Sequence, residues 1–547
     1  MKTLQKKTIV AALTAAGVTA FAGHAGAVSV STEGQGETLI YPYYTARGDN
    51  VSIISVVNTT TQGKVVKVRF RESKDSRDVL DFNLFLSPYD VWTGVVTKNV
   101  AGDGARLVTN DTSCTSPPKS SFTNLGGGAY AVNFFNFEYQ DRDARSVHGS
   151  NALAGPQSLD RTLEGYVEVI EQATVPTSSA MFRELKHVPN GPPPCGLSDT
   201  DITKLPANVL VADGGRGQTP PSGGLFGDVT YLAGNSQGMS TTVNATALIG
   251  FARTGQIEQP AGARPNLADH NSCIAAVITG TEVVVANTTL GAGTACGVPT
   301  QTQQANAVSA ALSAAKVSGQ YSYTSNLSLA TDWVITFPGK HYYVDPTDNI
   351  AAPVAPFSSR WNPKAGTSPE AISAISYDRE ENTSGAGVCD PVTNSGPGCF
   401  SPPPPDQQGP ALLYEANVLA ISSKTSGPSG PLQSNLAQFY AGYQDPAKDG
   451  GWLELTFTGN NTGFSGPGGI QGTVVSSLSL TTGAETRVRG STVTFVGLPV
   501  LGFSVSSAKV FGPTPGQPLN NYSASSNLTY TRMIKQATQA TVFPIAN

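Results

Sequence analysis

No stretch of this sequence runs far without a glycine or a proline: it holds 58 and 38 of them in 547 residues. Proline removes a backbone donor and glycine weakens regular elements by its entropy, so long helices are not expected and short elements joined by turns remain. The runs between the breaks are β-prone. Lys64–Glu72 alternates, with Val66, Val68 and Phe70 pointing one way and Lys67, Arg69 and Arg71 the other, as in a strand with one buried face. Val79–Leu86 repeats the pattern through Leu80, Phe82, Leu84 and Leu86 before Ser87-Pro88 forces a bend. Thr38–Tyr44 and Val51–Val57, separated by Thr-Ala-Arg-Gly-Asp-Asn, predict a hairpin. Four strands in about fifty residues predict a sandwich sheet.

Further strands are expected at Ala129–Phe137, Gly165–Glu171, Val209–Ala212, Asp228–Ala233 and Ser240–Ile249. Later ones follow at Ala411–Ile421, Trp452–Phe457, Thr473–Leu480, Val493–Val496 and Val500–Val505. Thr331–Phe337 and His341–Val344, around Pro-Gly-Lys, predict a second hairpin. Thr302–Lys316 is the best helix candidate, since Ala307, Ala310, Ala311 and Ala314 fall at helical spacing and Gly319 can stop it. Residues 188–224, 345–370 and the proline run Ser401–Pro405 read as loops. No repeat of fixed period appears, which disfavours propellers and solenoids. The expected fold is mainly β: antiparallel β-sandwich domain or domains with long Gly/Pro-rich loop insertions and one or two short helices. Its divisions are a signal peptide (1–27), an N-terminal β-sandwich region (28–190), a loop-rich insertion or second β region with a short helix (191–330), and a C-terminal β region (331–547) placed to complete the sandwich.

The amino terminus predicts export. Lys2, Lys6 and Lys7 precede an apolar, small-residue run from Thr8 to Ala22, and Ala25-Gly26-Ala27 follows as a cleavage site. The run is too short and too rich in Ala, Gly and Thr to span a bilayer comfortably, and no later stretch approaches membrane-spanning length. Cleavage removes three Lys and no acid, so the formal charge of −5 falls to −8. An acidic chain without a basic cluster does not favour nucleic acid. Charged residues are only 13% of the chain, about half the usual share, which suits packing against copies of itself or a matrix. Six cysteines in a chain bound for an oxidising compartment favour disulfides. They allow 15 pairings, and short-loop closure prefers Cys389 with Cys399 and Cys273 with Cys296, leaving Cys114 with Cys195.

Candidate chemistry is sparse. Gly234-Asn-Ser236-Gln-Gly238 matches a nucleophile elbow, but the β-prone residues after it break the strand-to-helix context, and a plain turn is the simpler account. His148, His187, His270 and His341 are isolated, without the clustering that hydrolytic zinc needs, although a Ser-His-Asp triad from distant positions stays open. His341 reads as structural or as a rim residue. Glu168 and Glu171, three apart on a strand, read as opposite-facing solvated acids and not as a glycosidase pair. Arg47-Gly48-Asp49 is an integrin-type tripeptide on a turn, and equally an ordinary turn. No cofactor is expected. Calcium stays open, with Asp445–Gly451 and Gln140–Asp143 the nearest acidic loops, and the metal question is undecided. Of Trp92, Trp333, Trp361 and Trp452, a sugar-stacking platform is conceivable, but Trp92 and Trp333 sit in amphipathic runs that suit a core.

Four blocks, Glu37–Tyr44, Val79–Trp92, Thr331–Pro338 and Gly497–Gly502, resemble segments of uncharacterised secreted cell-surface proteins of Gram-negative bacteria, some of them surface-layer-like. The resemblance implies a location, secreted or on the cell surface, and carries no functional residues with it. The expected function is an exported, non-enzymatic structural protein that self-assembles into a surface layer or extracellular filament. Its partners would be copies of itself or envelope and matrix components. A secreted adhesin or carbohydrate-binding protein is the alternative, and a serine hydrolase at Ser236 a third.

Overall fold

The computed structural model describes residues 27–140, 158–189, 191–196, 217–233, 239–251, 265–269, 273–288, 301–322, 329–345, 353–380, 383–384, 400–401, 411–421, 430–440, 450–457, 469–511, 518–536 and 539–544. Strands account for 55% of the described residues and helices for 8%, so the fold is mainly β as expected. Among the described residues there are four short α-helices and not one or two: Phe137–Gln140, Ala180–Leu185, Gln301–Leu312 and His341–Val344.

The first half of the chain supplies β1 (Ser29–Val30), β2 (Thr38–Thr45), β3 (Asn50–Asn58), β4 (Gly63–Glu72), β5 (Asp78–Leu86), β6 (Val91–Lys98), β7 (Ala105–Thr109), β8 (Cys114–Ser116), β9 (Thr123–Gly126) and β10 (Ala129–Asn133). After these come β11 (Glu164–Val175), β12 (Leu225–Phe226), β13 (Asp228–Ala233), β14 (Ser240–Asn244) and β15 (Thr246–Ile249). They form two antiparallel sheets. The first runs β1-β15-β2-β11-β4-β5-β8, and the second β14-β13-β3-β6-β7-β10-β9 with β12 also beside β3. Leu39, Tyr41, Val66, Val68, Phe70, Val167 and Val169 of the first face Ile54, Val56, Trp92, Val96, Leu107, Val229 and Tyr231 of the second in one buried cluster. Gly94 makes room for the indole, since a Cβ there would lie 2.5 Å from Trp92 Cη2.

Thr38–Tyr44 and Val51–Val57 are strands but not a hairpin. β2 pairs with β11 and β15, whereas β3 pairs with β6, β12 and β13, so the connection at 46–49 crosses between layers. Each carries an apolar face, and crossing sets those faces against each other across the core. Pairing them side by side would not.

The second half adds a ten-stranded and a six-stranded sheet. In the six-stranded one, Ala330–Thr336 lies between Ala416–Ile421 and Leu501–Phe511. Its Val334, with Val418, Phe503 and Val505, joins the cluster of the first two sheets. Trp333 and Ile335, on the opposite face, pack with Leu453, Leu455, Phe495 and Ile534 of the ten-stranded sheet and with Ala305, Ala307, Val308, Ala310 and Ala311. This strand is buried on both sides, because a cluster packs against each of its faces. The helix Gln301–Leu312 was expected over Thr302–Lys316, and its small face lets it sit close.

The second expected hairpin is also corrected: His341–Val344 is one helical turn. Gly339 takes φ +78° to enter it. The buried Glu415 carboxylate accepts hydrogen bonds from the backbone N–H of Gly339 (2.8 Å), Lys340 (3.1 Å) and His341 (3.1 Å). A carboxylate at a helix start satisfies donors that a strand would send to a neighbour.

One sheet edge is closed by side chains. Ser523 Oγ accepts from Ser240 N (2.7 Å) and donates to Ser240 O (2.9 Å), and Ser525 Oγ donates to Thr242 O (2.9 Å) along β14.

Candidate functional site

The charged side of β4 does not face water. Lys67, Arg69 and Arg71 are buried, although their alternation with Val66, Val68 and Phe70 predicts a solvated face. The cause is pairing with acids from the flanking strands. Lys67 lies 3.7 Å from Asp81, Arg69 3.3 Å from both Asp78 and Asp81, and Arg71 3.2 Å from Asp78 and 3.1 Å from Glu168. Strand β11 brings Glu168 opposite Arg69 and β5 brings Asp81 opposite the same residue, so register sets the neutralisation. Tyr166 Oη donates to Glu168 (3.1 Å) and to Glu415 (3.0 Å), joining this layer to the helical turn. Burial would raise Asp78, but the Arg69 and Arg71 guanidinium groups hold it below the ordinary carboxylate range. Burial pushes Lys67 down to about 8, against the attraction of Asp81.

Glu168 and Glu171 are therefore neither solvated nor a catalytic pair. Glu171 is buried in its own ion pair with Lys64 (2.7 Å), and its carboxylate also accepts from Ser222 N (3.1 Å) and Gly223 N (2.8 Å). That pair fastens the 217–224 segment to the first sheet. A third cluster overturns the integrin-type reading. Gly48 and Asp49 are exposed, but Arg47 is only 3% exposed, with Nε 2.7 Å from Glu164 and Nη2 2.9 Å from Asp160. Tyr43 and Ser434 hydroxyls donate to the same Glu164. Beside it Arg161 closes on Glu72 at 2.6 Å and lies over the Tyr139 ring at 4.0 Å. Charges in these clusters are spent on one another, which locks strands together.

Of the other sequence-derived residues, Ser236, His148 and His270 lie outside the described residues, as do Val209–Ala212, the expected signal peptide up to residue 26, and the acidic groups at 141–143 and 445–449. Cys114 and Cys195 form the disulfide expected for them, pinning β8 to the segment after the helix Ala180–Leu185. Cys273 is disulfide-bonded as well, while Cys296, Cys389 and Cys399 fall outside the described residues. His341 is buried at 3.6 Å from Glu415, a structural position. His187 is half-buried between two hydroxyls, Ser87 Oγ (3.0 Å) and Thr112 Oγ1 (2.9 Å). Asp90 accepts from Ser87 (3.0 Å) and lies 3.7 Å from the same ring nitrogen that meets Ser87. The acid therefore does not orient the far ring nitrogen, as it does in an acid-base-nucleophile relay.

Two exposed features remain. Trp92, Trp333 and Trp361 are buried, but Trp452 is 39% exposed and stacks on Tyr377 across two paired strands, with centroids 4.4 Å apart and planes 8° apart. Lys316, paired with Glu454 at 2.6 Å, lies on the same stretch of sheet.

The larger feature is the outer face of the second sheet. Strict alternation on β3 turns Val51, Ile53, Ser55 and Val57 outward, and on β6 Val91, Thr93, Val95 and Thr97. Ile53 pairs with Val95, and Val95 with Val108 of β7. Leu232 of β13 flanks Val51, and Phe226 of β12 flanks Val57, which itself pairs with Val91. The strand pairing thus places an apolar field across five strands, which composition could not reveal and alternation alone could not orient. Val91 is 50% exposed and Phe226 38%. Neither family models, curated proteins nor solved structures gave a match to this chain.

Proposed function

We propose that this chain is an exported structural protein of the bacterial surface that works by association, with copies of itself or with other envelope components. The observation that carries the reading is the apolar outer face of the second sheet. A folded chain seldom leaves a contiguous apolar field of several hundred Å² in water. The disposition of charge supports it. Of the 34 basic and 39 acidic residues, 21 are buried among the described residues, which thins an already small complement of surface charge. Mutual repulsion between copies is correspondingly weak. Electron microscopy and sedimentation of the purified, processed protein, with and without calcium, test the reading. Arrays, filaments or defined oligomers are expected, and a monomer at every concentration would overturn it.

A second reading, carbohydrate binding, is favoured by the Trp452–Tyr377 stack, because aromatic rings pack against the C–H faces of sugars. Under it the protein is retained on a glycan matrix while monomeric, and Trp452→Ala abolishes retention.

A further inference from the structure

Among the described residues, the outer face of the second sheet carries two charged residues within its apolar field, and they stand on opposite sides of its centre. Arg106 lies on β7 beside Thr97, at the Val51 end. Asp228 lies on β13, on the far side of β3 and level with Ser55, one row short of Phe226, its N–H bonded to Ser55 Oγ at 3.2 Å. Strands β3 and β6 separate the two, and the buried Nε of Arg106 has no hydrogen-bond partner among the described residues. Opposite charges at the two ends of one diagonal through the centre make a surface complementary to itself.

We propose that two copies of this chain pair through these faces, about a twofold axis that sets Arg106 of each copy against Asp228 of the other. This rests on the assembly reading above and names its interface. A twofold contact uses the same patch on both partners, which is the condition the diagonal meets. An in-plane axis perpendicular to that diagonal, with strands about 4.8 Å apart and residues about 3.3 Å apart, crosses the strands of the two copies at about a right angle. Orthogonal crossing is one of the two ways in which sheets stack. The field measures about 20 Å by 23 Å, so a pair buries on the order of 1,000 Å² in total, the floor for a specific interface. Val95, near its centre, becomes the anchor. Both ion pairs form at the rim of an apolar contact, where they fix orientation.

Sedimentation velocity and light scattering on the full processed chain, disulfides intact, test the pairing. The unaltered protein is expected to dimerise, and Val95→Asp to weaken the dimer by about a hundredfold by placing two unpaired acids in its centre. Arg106→Asp and Asp228→Arg should each weaken it by about tenfold or more, and the double exchange should restore it. Far-UV circular dichroism checks that each variant folds; the exchange at Arg106, half-buried on the outer face, serves if Val95→Asp does not. Assembly indifferent to all four variants, or single exchanges not rescued by the double one, would overturn this interface while leaving assembly itself standing. A strict monomer would sink both.

Discussion

Asp332 sits on a strand bonded on both sides, 1% exposed, and its carboxylate has one hydrogen bond, from Leu432 N at 2.8 Å. The other oxygen, Oδ1, has no partner among the described residues. Burial therefore pushes this acid up from 3.8 to about 7, the Leu432 hydrogen bond opposing it only in part. An acid whose folded value exceeds its unfolded one binds its proton more tightly in the folded state, so the fold gains stability as pH falls through that window. At about pH 8 the ionised group costs the fold about 4 kcal/mol, and between about pH 8 and about pH 5 some 2.5 kcal/mol of this is relieved. Asp332→Asn keeps the shape and an acceptor for Leu432 while removing the proton equilibrium. Urea midpoints for both proteins across that range give the test. The variant should be the more stable at the alkaline end, with the advantage shrinking steadily toward acid. A difference that is flat with pH would refute the argument, because it would mean that Asp332 is charged and compensated throughout.

Other expectations follow from the buried pairs. Arg47→Ala strips Glu164 of its cation and should cost about 3 to 5 kcal/mol in chemical denaturation; a midpoint that does not move would place Arg47 in solvent. Replacing both Cys114 and Cys195 by Ser opens a loop of sequence separation 81 and should cost about 4 kcal/mol, read from the same curves. Glu415→Gln keeps the size but not the charge facing three backbone N–H groups. It should cost about 1 to 3 kcal/mol and speed proteolysis near Gly339–Val344, which an unchanged cleavage rate would contradict.

The strands were legible because a period of two survives any tertiary context. Lys64–Glu72, Val79–Leu86, Asp228–Ala233 and Val493–Val496 all lie in strands. What a strand faces was harder to read. Lys67, Arg69 and Arg71 carry the pattern of a wet surface, and only the arrival of Asp78, Asp81 and Glu168 on neighbouring strands makes that surface dry. A signal was present: β4 holds three bases at alternate positions while β5 and β11 hold acids, but their adjacency depends on register, which no local run encodes. The same limit hid the outward apolar field. Ile53, Val95 and Val108 are far apart in the chain and become neighbours only through pairing. The burial of Arg47 and the helical turn at His341–Val344 were hidden for another reason. Turn propensity and β propensity are local, whereas Glu164 and Glu415 act from more than seventy residues away.

The serine hydroxyls along β14 decide how copies of this protein are able to grow into anything larger. An open strand margin invites end-on addition of further strands without limit, the route to amyloid-like fibres. Here Ser240 and Thr242 have their carbonyls claimed by Ser523 and Ser525 of the same chain. Zipping at that border is thereby denied, so under the proposed pairing copies would meet broadside, a contact that two surfaces complete.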